Sequence, residues 1–147
     1  METVLAGGFP EVIKRKNWNR RQAWHLNYLY ALIHRDVKDI AQIDKIQRLH
    51  ALLQMVSHYN GQLVNYSGMG APLNMSHTIT RKYIGILEQL FLIHKLNPWY
   101  SNQPKRLSKT PKLHFVDTGL LAALQGISLD KLQTDRQLLG PMLETFV

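Results

Sequence analysis

The sequence predicts a mainly α-helical protein with a small β-hairpin, organised as a helical N-terminal segment plus a winged helix-turn-helix. Three observations carry this expectation. Apolar residues recur at helical spacing over three long stretches, two short apolar runs flank a turn-rich loop after the third, and a polar, turn-rich segment separates the second stretch from the third.

Gly7, Gly8, Phe9 and Pro10 form a turn of the kind that joins two ordered elements, although only six residues precede it. Further sequence is therefore expected upstream. Lys14, Arg15 and Lys16 lead into a helix from about Asn19 to Ile40, whose Leu26, Leu29, Ile33, Val37 and Ile40 are spaced for burial. Trp24 and Tyr28 add aromatic bulk, and packing is preferred over base stacking because they sit on a helix with an apolar stripe. Arg35, Asp36, Lys38 and Asp39 mix both signs and read as a solvated or salt-bridged face. A second helix runs from about Lys45 to Tyr59, with Ile46, Leu49, Leu52, Leu53 and Val56 inward and Gly61 placed to stop it.

The helix-turn-helix follows from the order of local signals between Asn65 and Leu124. Ser67 to Leu73 make one short helix or turn, Asn74 and Met75 supply a break, and Ser76 stands where an N-cap opens the next helix. In that helix Ile79, Tyr83, Ile84, Leu87, Leu90 and Phe91 form one apolar stripe, and His77, Thr78, Arg81, Lys82, Glu88 and Gln89 occupy the other face. Leu92 to Leu96 and Lys112 to Val116 read as strands. Between them Pro98, Asn102 and Pro104 mark a long hairpin loop, the expected wing, which carries Lys105, Arg106 and Lys109. Asp117 or Thr118 is placed to cap a helix over Thr118 to Leu124, and residues 140–147 open another.

Two helices with a tight turn and a hairpin with a basic tip make a nucleic-acid docking geometry when the second helix enters the major groove. Residues 61–114 hold seven Lys or Arg against one acidic residue, Glu88, and so contribute +6 to a chain of net charge +8. Such a local excess is what phosphate contact requires. The same lysines would also keep a hairpin soluble and stop its edge from pairing. Residues 115–147 are different, with two basic and four acidic residues.

With 147 residues, 45% of them hydrophobic, the chain can bury one core, or one core with a partly built appendage. It has no cysteine, which excludes disulfides and thiolate metal sites. No apolar run is long enough to span a bilayer and no charged-then-apolar start resembles a signal peptide, so a soluble, cytoplasmic protein without membrane partners is expected.

Five segments carry a resemblance to a known family. They are GGFPE at 7–11, RDVKDI at 35–40, LVNYSGMGAPLNMSHTITRKYIGILEQLFLIHKLNPWYSN at 63–102, KRLSKTPKLHFVDTGLLAAL at 105–124 and LGPMLETFV at 139–147. Together they resemble the C-terminal domain of unknown function that follows the AAA+ ATPase core in a large family of bacterial and archaeal ATPases. The resemblance runs nearly end to end, and its most specific parts are the KRLSKxPKxxFVDTGL block and the closing LGxxLExFV. It implies that residues 1–44 are a helical linker following an ATPase core, 45–124 the winged helix-turn-helix, and 125–147 the start of a domain resembling restriction endonucleases. Further sequence is then expected downstream too, and the chain would be the middle of a longer ATPase, as a truncated gene or a cloned fragment.

Catalytic chemistry has no foothold in these residues. No GxxxxGK[ST] phosphate loop occurs. Glu144 matches the glutamate of the nuclease-like first helix, but one carboxylate does not build a hydrolytic metal site, and the Glu-x-Lys pair would lie past the end of the sequence. The seven histidines show no HExxH or comparable ligand spacing, and His94 and His114 merely sit on strands expected to pair. Ser67, Ser76 and Ser108 lack a Gly-x-Ser-x-Gly setting. A protein without cofactor or metal that is not an enzyme is expected.

Two functions remain. In the preferred one, the winged helix binds double-stranded DNA through His77, Thr78, Arg81 and Lys82 on the second helix and Lys105, Arg106 and Lys109 on the wing. In the other, the fold couples an ATPase core to the nuclease-like domain or supports self-association, a reading that exposure of Met69, Met75, Trp99 and Tyr100 would favour.

Overall fold

In the computed structural model, residues 1–40, 46–99 and 109–146 are described, with the side chains of residues 38–40 excluded. The architecture is mainly helical with a small two-stranded antiparallel sheet. In chain order the helices are α1 (Glu2–Ala6), α2 (Pro10–Ile13), α3 (Trp18–Ile40), α4 (Ile46–Ser57), α5 (Tyr66–Gly70) and α6 (His77–Gln89). Strands β1 (Ile93–Leu96) and β2 (Lys112–Phe115) follow, then helices α7 (Thr118–Gln125), α8 (Leu129–Thr134) and α9 (Leu139–Phe146). One continuous hydrophobic core includes Val4 and Leu5 of α1 and Met142 of α9.

The long helix α3 buries Leu29, Ile33 and Val37, each one helical turn from the next. Leu26 departs from the expected stripe and is 42% exposed. Its place in the core goes to the adjacent His25, about 100° round the helix, whose Nε2 lies 3.2 Å from the Ala6 carbonyl oxygen. Ile40 of that stripe has a side chain outside the described residues, and so do Lys38 and Asp39 of the charged face, on which Arg35 and Asp36 form an ion pair. Helix α4 presents Leu49, Leu52, Leu53 and Val56 to the core and packs on α3, α5, α6 and α7.

Past α4 the chain turns at Gly61, whose φ of +75° is readily open only to glycine, and its amide donates to the Leu113 carbonyl at 2.7 Å. Leu63 bridges Lys112, so this segment runs along β2. Ile93 pairs with Phe115 and Leu96 with Lys112. Leu92 and Val116, expected at the strand ends, lie just outside them, although the Val116 amide still donates to the Leu92 carbonyl at 3.1 Å.

Helix α6 differs from the expected stripe at both ends. Thr80 and Ile86 are buried, whereas Ile79 is 39% exposed. The Thr80 hydroxyl donates to the Ser76 carbonyl at 3.0 Å and turns this polar residue inward. Phe91 is 81% exposed and lies beyond the helix, at φ +54° in the left-handed region. Glu88, expected on the outer face, is half-buried against Lys95.

Asp117 caps α7 through Leu120 N–H at 2.9 Å. Helix α9 is held by Asn60, which donates to the Pro141 carbonyl at 3.0 Å and to Thr145 Oγ1 at 2.9 Å while accepting from Phe115 N–H at 2.9 Å. Among the described residues no helix is long and apolar enough to cross a membrane.

Candidate nucleic-acid interface

The helix pair α5–α6 is set by short-range chemistry. Asn65 caps α5 by accepting from Gly68 N–H at 2.9 Å, a 3-10 turn over Ala71–Leu73 follows, and Asn74 ends it at φ +52°. Ser76 then opens α6 by accepting from Ile79 N–H at 3.3 Å. The helices touch where Gly70 meets Thr80: a Cβ on Gly70 would lie 2.1 Å from Thr80 Oγ1 and 2.9 Å from the Met75 carbonyl oxygen. No larger residue fits there without parting the helices.

His77, Thr78, Arg81 and Lys82 are all exposed. At 100° per residue they share an arc of about 140°, opposite the side that buries Thr80, Tyr83, Ile84 and Leu87. Gly85 lies at the centre of the same face, where a Cβ would meet nothing within 4 Å.

A polar groove of about 390 Å³ opens beside the start of this face. It is lined by Asn65, Tyr66 and Ser67 at the start of α5, by His77, and by Lys109 and Thr110 on the way into β2. The Tyr66 ring stands edge-on to His77 at 5.3 Å. Two residues singled out from the sequence, His77 and Lys109, thus meet on one groove, with Arg81 and Lys82 about one turn further along α6. Lys105 and Arg106 lie outside the described residues. The roles of Asn65, Tyr66 and Ser67 in this groove were missed by sequence reasoning, although Asn65 spaced three residues before Gly68 is itself a capping signal.

The charge is divided between two uses. Lys95 Nζ lies 2.8 Å from Glu88 and Lys112 Nζ 3.0 Å from Glu144. Partial burial of Lys95 disfavours its charge, but bonds to Glu88 and Tyr66 outweigh this and hold its pKa above the usual lysine value. Among the described residues Arg81, Lys82 and Lys109 make no ion pair. Around this site the cations tied to carboxylates are therefore those of the sheet, and the open ones lie on α6 and the chain entering β2.

A second groove, of about 400 Å³, adjoins the first. Leu63, Leu96, Pro98 and Trp99 supply its apolar wall, and Thr110 lines both grooves. Met69 and Met75 are buried, Trp99 is 80% exposed, and Tyr100 lies outside the described residues. His94 and His114 stack across the strands with ring centroids 5.8 Å apart, and no three His, Cys, Asp or Glu among the described residues come together as metal ligands.

Residues 1–131 match a family described as "Domain of unknown function (DUF8612)". Over 144 residues the chain is 31% identical to the uncharacterized protein Mb2031c of Mycobacterium bovis and, equally, to the uncharacterized protein Rv2008c of Mycobacterium tuberculosis. The alignment covers 97% of this chain and 32% of each relative, so the chain spans about a third of their length. No solved structure matches. With residues 1–131 matched, the chain belongs to the DUF8612 family of domains of unknown function.

Proposed function

We propose that this chain is a non-catalytic winged-helix module that binds double-stranded DNA, with α6 in the major groove and the loop between β1 and β2 against the phosphate backbone. The observation that carries the reading is the division of charge. Lys95 and Lys112 are tied to carboxylates, whereas Arg81, Lys82 and Lys109 are exposed without ion pairs among the described residues, around a helix face and a polar groove. Cations left open to solvent can neutralise phosphates and release the counterions condensed on DNA, a large source of protein–DNA affinity. The helix pair followed by a two-stranded hairpin supports reading residues 45–124 as the winged unit.

The resemblance in the motifs at 7–11 and 105–124 supports placing this module beside an AAA+-type ATPase core. That the chain spans 32% of its mycobacterial relatives leaves space in such proteins for a nucleotide-binding core and a nuclease-like domain. The reading assigns no catalysis to this chain.

The test is fluorescence anisotropy of the purified chain with random-sequence duplex DNA at two salt concentrations. Binding that weakens steeply with salt, by a log–log slope of roughly 0.9 per phosphate neutralised, is expected. Absence of binding at low salt would sink the reading. It would leave the second one, a module coupling an ATPase core to a nuclease-like domain, which the 81% exposure of Phe91 favours.

A further inference from the structure

The two grooves adjoin along one strip of backbone and share Thr110. The two halves of this strip are residues 63–64 and 110–112, joined by the Leu63–Lys112 bridge and by Val64 N–H donating to the Pro111 carbonyl at 2.9 Å. On one side the groove is polar, with His77 and Lys109 on its wall. On the other it is mainly apolar, walled by Leu63, Leu96, Pro98 and Trp99, with Asn97, Thr110 and the Glu144-paired Lys112 beside them. Its volume of about 400 Å³ falls in the roughly 300–1,000 Å³ range of small-molecule sites.

We propose that the Trp99 groove takes an unpaired nucleobase, so that the preferred partner of this module is a junction between duplex and single-stranded DNA rather than uninterrupted duplex. The inference rests on the DNA-binding reading above and names the form of DNA at that site. A duplex hides its base faces by stacking, so an apolar groove with an exposed indole offers it little. A strand leaving the duplex presents a phosphate backbone and bare base faces side by side, which is the pairing of surfaces found across this strip. Single-strand binding sites are built from this combination, a cationic groove that follows the backbone and an aromatic ring on which a base stacks. Asn97 can meet the polar edge of the stacked base while the leucines and Pro98 cover its rim. The open cations Lys109, Arg81 and Lys82 supply the matching charge on the backbone side.

The experiment compares a labelled blunt duplex of random sequence with the same duplex carrying a single-stranded thymidine tail, by anisotropy at one low salt concentration, using the full 147-residue chain. The tailed duplex is expected to bind about tenfold more tightly, the scale of one base stacked on an aromatic ring. Trp99→Ala should remove that preference, weakening tailed-duplex binding about tenfold and blunt-duplex binding far less, and Trp99→Phe should retain most of it. Circular dichroism confirms that each variant is folded. Equal affinity for the two DNAs, an undiminished preference in Trp99→Ala, or an equal loss on both DNAs overturns the inference. If blunt duplex still binds and Arg81→Ala weakens that binding, only the junction assignment fails. If neither DNA binds, the DNA-binding reading fails with it.

Discussion

The Gly8 amide donates to Asp117 Oδ2 at 2.6 Å, across 109 residues of sequence, while Asp117 Oδ1 accepts from Leu120 N–H at 2.9 Å. One carboxylate thus holds the Gly7–Pro10 turn and opens α7. Gly7 is placed by the same group: it has φ +71°, and a Cβ there would lie 2.3 Å from Asp117 Oδ1.

Asp117→Ala removes a helix cap and a charged acceptor, and is expected to cost about 2–3 kcal/mol. Asp117→Asn, which keeps an acceptor oxygen, should cost less. Urea denaturation of the three proteins checks this, and equal midpoints would show that the carboxylate adds nothing to stability.

Stability should fall on acidification below about pH 6.5. Burial lowers the pKa of His25, partly opposed by Asp117 and the bond with Ala6, and burial together with His34 lowers that of His50. Burial also lowers that of His114, helped by His94 and Lys112 and opposed by Glu144. A histidine whose folded pKa is depressed binds fewer protons than the unfolded chain in the window below its ordinary value. Its contribution is therefore complete above that value and is lost as pH falls through the folded pKa. His25 has a concrete reason to resist protonation, since its buried Nδ1 has no partner among the described residues to accept a new N–H bond. Thermal midpoints at about pH 7.5 and about pH 5.5 test this, and an unchanged midpoint would remove the account.

The division of charge separates lysines that look alike in sequence. Arg81→Ala, Lys82→Ala and Lys109→Ala should each weaken duplex binding and flatten its salt dependence by roughly one unit of slope for each phosphate no longer neutralised. Lys95→Ala and Lys112→Ala should change that slope little, because their ammonium groups face Glu88 and Glu144. Equal effects at all five positions would show that the chain acts through net charge alone.

Gly85 distinguishes folding from binding on one helix. A Cβ there meets nothing within 4 Å, so Gly85→Ala should raise stability by about 1 kcal/mol through helix propensity. The methyl group would project from the centre of the face that carries Arg81 and Lys82, and should weaken duplex binding if that face enters the groove. A variant that is more stable and binds duplex as before would remove α6 from the interface.

Phe91 occupies a position after α6 that favours glycine, at φ +54°, and its side chain is 81% exposed. Phe91→Gly should therefore raise the urea midpoint, by about 1 kcal/mol of stability. A lower midpoint would mean that the ring packs more usefully than its exposure implies.

Much of what depends on a few neighbouring residues was already legible in the chain as written. Ser76 and Asp117 cap the helices they precede, Leu49, Leu52, Leu53 and Val56 share one buried face, and both strands lie within a residue of their expected positions. Such signals are readable because a cap reaches only two or three residues and the helical repeat is set by backbone geometry. The open charges of Arg81 and Lys82 were legible for the same reason, since they lie opposite an apolar stripe.

Tertiary packing settled which residue takes a contested place at the edge of the core. His25 is buried instead of Leu26 because α1 brings the Ala6 carbonyl to its ring, and Thr80 is buried beside the bare backbone of Gly70 while Ile79 faces outward. Packing also chose the carboxylates: Glu144 reaches Lys112 across 32 residues and Gly8 finds Asp117 across 109. Apolar spacing names a face, but the boundary of burial is drawn by whatever packs on that face. Ion pairs likewise form between chain segments whose meeting no local pattern encodes, and in this protein that meeting separates the lysines held by the sheet from the cations left open around α6.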